Sequence, residues 1–280
     1  MAYKTIAVSL NDIEGREALI AAAAKLARTF EAHVTGVYVV PAVQVYPTGG
    51  IDLMPQVFEG TRLYFQGQAE ATRAAFEAAM QRDGLSFGFA ETDSASTYIA
   101  DDLIAQGRSA DLIVLRQVDG QATGWIETDF AERVVMAAGR PVLMLPRTGN
   151  AAISFGEAIV GWNGSREAAR AAFDAIPLLK ASTATRIVSV DPEADPGLRG
   201  MIAGADLAEA LARHGIKVTA TPYNTGGLEA GRSLLQHAND VGASMIVMGA
   251  YGHSRLREVI LGGATREVLG LMDRPILMSH

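Results

Sequence analysis

The chain has 280 residues, with 31 acidic against 24 basic side chains, a formal net charge of -7, 49% hydrophobic residues and no cysteine. That is enough chain for one large domain or two ordinary ones around well-filled cores. The acidic balance argues against a nucleic-acid backbone or an anionic membrane surface as partner, and the missing cysteines exclude disulfides, thiolate metal sites and cysteine nucleophiles. The N-terminus runs from Met1 straight into a strand pattern without a signal-type apolar stretch, and no run reaches the ~18 apolar residues of a membrane span. A cytoplasmic protein without membrane contact is the expectation.

Short β-rich runs alternate with helical periodicity along the whole chain. Strands are expected near 4–10, 33–40, 86–92, 111–116 and 141–146, and helices near 14–30, 56–83, 96–107 and 127–138. Five more strands are expected near 157–162, 185–190, 216–222, 244–249 and 275–279, with helices filling the gaps. Such alternation means parallel strands joined by right-handed helical crossovers, a doubly wound α/β layer. The Pro/Gly-containing stretch Pro41–Pro55 reads as a long surface loop after the second strand, with a lid as the alternative.

The pattern occurs twice. Gly15-Arg16-Glu17-Ala18 and Ser165-Arg166-Glu167-Ala168 each open an alanine-rich helix, and Arg140-Pro141-Val142-Leu143-Met144 matches Arg274-Pro275-Ile276-Leu277-Met278. A period of roughly 130–150 residues is a duplicated domain, not a solenoid. The expected domains are 1–148 and 155–280, joined through Thr148-Gly149-Asn150.

In the second copy the apolar strand Ser244–Met248 runs into Gly249-Ala250-Tyr251-Gly252, then nine residues, then Gly262-Gly263-Ala264-Thr265 opening a helix. Glycine lets backbone approach an anion, and helix N-terminal N–H groups point at it. In open α/β sheets ligands sit beyond the carboxyl ends of the strands, where the strand order reverses. Asn163, in the loop after the first strand of this copy, is then placed to bond a base edge. Gly249, Gly252 and the amides of Gly262, Gly263, Ala264 and Thr265 are placed to hold phosphates. His253 and Arg255 add positive charge, and Val190 supplies apolar or backbone contact to a ring. Each piece alone has a plainer reading: strand-end glycines and Asn-Gly pairs are turn residues, and a lone histidine is a surface group. The combination points to an occupied site.

The run from Val247 to Met278 resembles the signature of the universal stress protein family, Gly, two residues, Gly, nine residues, Gly, then Ser or Thr. Gly249, Gly252 and Gly262 match its spacing, and the resemblance covers the chain as two tandem copies, the second the closer. The resemblance implies two five-stranded parallel sheets in order 3-2-1-4-5 with helices on both faces. It also implies an ATP or AMP site at the switch point, with Mg as a candidate companion ion. The two domains would pair as an intramolecular pseudo-dimer, with a homodimer as an alternative, and protein partners are unspecified. The chain departs from the signature at Gly263, where the family has Ser or Thr, and at Asn163, where it usually has aspartate. In the first copy the fourth strand runs into Arg116-Gln117-Val118-Asp119, and Asp129 stands at a helix start, where it is expected to satisfy the helix N–H groups and repel phosphate. That copy reads as structural or regulatory.

No dinucleotide fingerprint, P-loop or nucleophile elbow is present, and the histidines (33, 214, 237, 253, 280) do not pair at metal-ligand spacing. The expected function is adenine-nucleotide binding in the second domain by a stress-response regulator or partner-binding module, with any ATP turnover incidental. A nucleotide-free scaffold and a slow ATP hydrolase are the alternatives.

Overall fold

The structure, a computed structural model, describes residues 2–42, 55–118, 126–190, 203–223, 228–251 and 263–280, without the side chains of 55–59 and 61. The chain divides into two compact units, Tyr3–Arg140 and Pro141–His280.

The first unit contains β1 (Thr5–Ser9), α1 (Arg16–Phe30), β2 (His33–Val40), α2 (Pro55–Arg82), β3 (Phe87–Asp93), α3 (Ile99–Gly107), β4 (Leu112–Arg116) and α4 (Phe130–Ala137). Its strands are parallel in order β3-β2-β1-β4. A near-continuous apolar run is what a strand covered on both faces requires, and Leu112 to Leu115 are all fully buried. Each such side chain contributes ~1.5–3 kcal/mol on burial. The start of α3 falls at Ile99, later than the expected 96, because serines compete for the local backbone. Ser94 Oγ accepts from Ser96 N at 2.9 Å and Ser96 Oγ from Tyr98 N at 3.0 Å, the side-chain turns that hold serine outside helices. The Pro41–Pro55 loop lies, from 43 to 54, outside the described residues.

The second unit contains β5 (Val142–Leu145), β6 (Glu157–Gly161), α5 (Arg166–Asp174), α6 (Ile176–Ala181), β7 (Ala184–Val190), α7 (Ala205–Arg213), β8 (Val218–Tyr223), α8 (Ala230–Asp240), β9 (Met245–Gly249), α9 (Gly263–Leu271) and β10 (Ile276–Ser279). The strands β8-β7-β6-β9-β10 are parallel, which is the order 3-2-1-4-5 counted within the repeat. β5, the closing strand of the first repeat in sequence, adds to this unit antiparallel to β10. Gly161 of β6 faces Leu234 of α8, whereas Gly249 of β9 faces the first turn of α5, so helices cover both faces. The order reverses between β6 and β9, and the carboxyl ends of those strands are where a crevice must open.

Candidate functional site

The chain leaves β6 through Trp162-Asn163-Gly164-Ser165. Gly164 has φ +72, a left-handed conformation that glycine adopts without steric cost. Asn163 Oδ1 accepts from Ser165 N at 3.1 Å, closing the turn. Ser165 then caps α5, its Oγ accepting from Ala168 N at 3.2 Å. A side chain at Gly249 would collide with the backbone of Glu167 and Ala168, so glycine there lets α5 press against the end of β9. Glu167 is buried in that turn. Burial pushes its carboxyl up, but the hydrogen bond from Arg166 Nε holds it below the usual range.

A cavity of about 230 Å³ opens beside this turn, at the carboxyl ends of β6, β7 and β9. Trp162, Val188, Val190, Leu234 and Met248 make most of its wall apolar, and Asn163, Gly231, Gly249 and Ala264 also line it. Of the residues singled out from sequence, Asn163, Val190, Gly249 and Ala264 therefore meet at one cavity. Thr265 is buried behind it, where its Oγ1 accepts from Tyr251 N at 3.1 Å. Gly263 begins α9, and none of the described residues stands where its side chain would go. Gly252, His253, Arg255 and Gly262 lie outside the described residues.

The contribution of α8 was not anticipated. Ala230, Gly231 and Leu234 supply one side of the cavity. A Cβ at Gly231 would stand 2.7 Å from Ala264 O and 2.9 Å from a Glu267 oxygen, so α8 and α9 approach closely there. Glu267 fastens them, accepting from Arg232 N at 3.0 Å and Arg232 Nε at 3.2 Å. A glycine in the first turn of an amphipathic helix was the available sign of that approach.

In the first unit the equivalent turn is built from different groups. Leu10 N bonds Val37 O as Trp162 N bonds Val188 O, both at 2.9 Å, which aligns Asn11 with Asn163 and Val39 with Val190. Strand register likewise aligns Arg116 with Gly249. Asn11 donates to Val39 O at 2.6 Å and accepts from Val39 N at 3.0 Å, so its amide takes both backbone groups of the aligned valine. Asp12 Oδ1 accepts from Gly15 N at 3.1 Å at the start of α1, and its other oxygen pairs with Arg116 at 2.8 Å. Both side chains of that pair are nearly buried, at 10% and 13% exposed.

Asp129 corrects an expectation. It stands at the N-cap of α4 but makes no capping hydrogen bond, and pairs with Arg133 at 3.8 Å instead. In the same unit Glu127 does meet a helix N–H group, accepting from Ala100 N at 2.7 Å at the start of α3. Burial raises the Glu127 carboxyl above its ordinary range despite that bond. Among the described residues no cluster of three or more His, Asp or Glu is placed to hold a metal, and no helix is long and apolar enough to cross a membrane.

The architecture and the crevice define a tandem pair of doubly wound α/β repeats with a ligand-type cavity in the second. The sequence model of the universal stress protein family matches residues 2–146 and again 155–280, and the chain belongs to that family. Among curated protein sequences none matches. The fold is similar to that of a universal stress protein from Archaeoglobus fulgidus DSM 4304, at 15% identity over 98% of this chain and 97% of that one, with a TM-score of 0.72. It is also similar to a functionally unknown protein from Pseudomonas aeruginosa PAO1, at 14% identity over 99% and 92% of the chains, with a TM-score of 0.61. A universal stress protein from Archaeoglobus fulgidus in complex with dAMP matches at 18% identity over 51% of this chain and 98% of that one, with a TM-score of 0.35.

Proposed function

We propose that the second unit binds one adenine nucleotide, ATP or AMP, and that occupancy sets how a cytoplasmic regulator engages its protein partners. The observation that carries this reading is the apolar cavity at the switch point, where Asn163, Val190, Gly249 and Ala264 converge. Its walls suit a flat, weakly polar ring, and the start of α9 offers helix N–H groups for phosphate. Mg, when present, accompanies the phosphates. Membership of the family supports the reading through the glycine spacing of 249, 252 and 262. The hydroxyl that the family signature carries at Gly263 is absent, which costs ~0.5–1.5 kcal/mol for one lost hydrogen bond. Binding is therefore weaker than the full signature would give.

The test is calorimetric titration of the whole chain with Mg-ATP and with AMP. Two variants accompany it. Gly252→Asp places negative charge in the glycine loop, and Ala230→Trp fills the cavity from an exposed position, where the fold tolerates bulk. One site per chain is expected, weakened about tenfold or more in each variant, which is ~1.4 kcal/mol or more. Two sites per chain would contradict the structural reading of the first unit. No heat and no thermal shift at millimolar nucleotide would leave a scaffold that works through its surfaces alone.

A further inference from the structure

The wall of the cavity supplied by α8 belongs to a helix that also holds a buried titratable group. His237 is only 8% exposed, and its Nε2 is buried without a hydrogen-bond partner among the described residues. The ring lies against Tyr223 of β8, with centroids 4.6 Å apart and planes tilted by 47°. From β7 the Arg186 guanidinium bears on it, itself paired at 2.8 Å with Glu157 of β6. Asp240, on the same helix, is the remaining charged group acting on it. Burial, then the Arg186 charge, lower the basicity of the imidazole, and Asp240 and Glu157 only partly oppose them.

The same helix is fastened at both ends. Glu267 accepts from Arg232 N near its start, and Arg274 Nη1 donates to Ala238 O and Ala243 O, each at 2.8 Å, near its end. Between these fastenings the neutral ring of His237 seats the helix on β7 and β8. Leu234, three positions earlier, and Ala230 and Gly231 at the start reach the cavity. A proton on Nε2 adds an N–H that has no acceptor in place among the described residues, beside a guanidinium whose carboxylate partner is already engaged. The imidazolium is relieved only by reaching water, which requires α8 to move off the sheet.

We propose that His237 is a proton-operated latch on the cavity: neutral, it keeps α8 seated, and protonated, it loosens α8 together with Ala230, Gly231 and Leu234, so that acid weakens binding. The ligand named in the test rests on the nucleotide reading above, whereas the latch itself does not.

The experiment compares the whole wild-type chain with His237→Phe, which keeps a ring against Tyr223 but cannot titrate. AMP binding is measured at about pH 7.5 and about pH 5.5, on either side of the ordinary imidazole range. The AMP phosphate titrates in the same interval, so the quantity read is the difference between the two proteins. The wild type is expected to lose about fivefold more affinity than the variant on acidification. Equal losses overturn the latch. Amide hydrogen exchange across 230–240, measured without ligand, keeps the test independent of the nucleotide. Once each rate is divided by the intrinsic exchange rate at that pH, protection should fall at the lower pH in the wild type, and unchanged protection there overturns the latch whether or not AMP binds. Should the variant fail to fold, the wild-type exchange profile alone decides. Absence of AMP binding at either pH, with protection lowered by acid, counts against the nucleotide reading and supports the latch.

Discussion

Asn11 and Asn163 leave equivalent strands, yet one turns inward onto its own fold and the other borders an open cavity. The difference begins at the end of the fourth strand of each repeat. Gly249 has no side chain, so α5 closes onto β9 through a short turn in which Ser165, two positions after Asn163, is already the helix cap. Arg116 stands at the matching position in the first repeat and needs room. The loop there takes four positions from Asn11 to the cap at Gly15. The added length holds Asp12, whose carboxylate neutralises Arg116 and accepts from the amide of Gly15, the cap of α1. The first repeat thus carries a fixed anion and cation of its own where an open crevice would take a ligand from solution. One residue type at a strand end, glycine or arginine, goes with a short turn beside a cavity or a longer turn holding an ion pair.

Breaking that ion pair has the largest expected effect. Arg116→Ala leaves Asp12 buried without its cation and should lower stability by ~3–5 kcal/mol. The double variant with Asp12→Asn should recover much of that loss, since the uncompensated charge is then gone. Denaturant titration of the three proteins checks both statements. Gly249→Ala, which forces a methyl into the backbone of α5, should cost ~1–3 kcal/mol in the same assay. Removing the cap with Ser165→Ala should cost ~1 kcal/mol, measured as a shift in thermal midpoint.

Acid should separate the wild type from His237→Phe. The folded-state basicity of His237 is depressed, so its contribution to stability is full above about pH 6.5 and is lost as pH falls through the folded value. Stability against pH in the wild type should bend downward in that window, with no such bend in the variant. The smallest effect sharpens the open site instead of breaking it. Gly263→Ser meets none of the described residues, so stability should stay within ~0.5 kcal/mol of wild type. A hydroxyl bonded to phosphate should tighten AMP by ~0.5–1.5 kcal/mol in titration.

Much of the fold was legible because its signals are local. The alternation of apolar runs with helical periodicity located every described strand to within about two residues, and the paired Arg-Pro closing strands disclosed the duplication. The cavity was legible only in part. Asn163 and Gly249 announce themselves as turn chemistry after strands, and Val190 follows from strand order. The wall from α8 depends on a helix crossing that no short-range pattern encodes, with Gly231 its only trace. The Asp12–Arg116 pair joins residues over a hundred positions apart, and sequence showed only that the glycine pattern fails at 116. Asp129 misled because a good cap residue at a helix start found Arg133, one turn along, instead of the amides.

The second repeat is proposed to take a nucleotide and the first to take none. Chemical-shift mapping of backbone amides during an AMP titration tests it most directly. Shifts are expected to be confined to 161–168, 188–190, 230–234, the glycine loop from Gly249 to Gly262 and the start of α9, with the amides of Asn11, Gly15, Val39 and Arg116 unmoved. Shifts centred on Asn11, Val39 and Arg116, or none anywhere at saturating AMP, would contradict it.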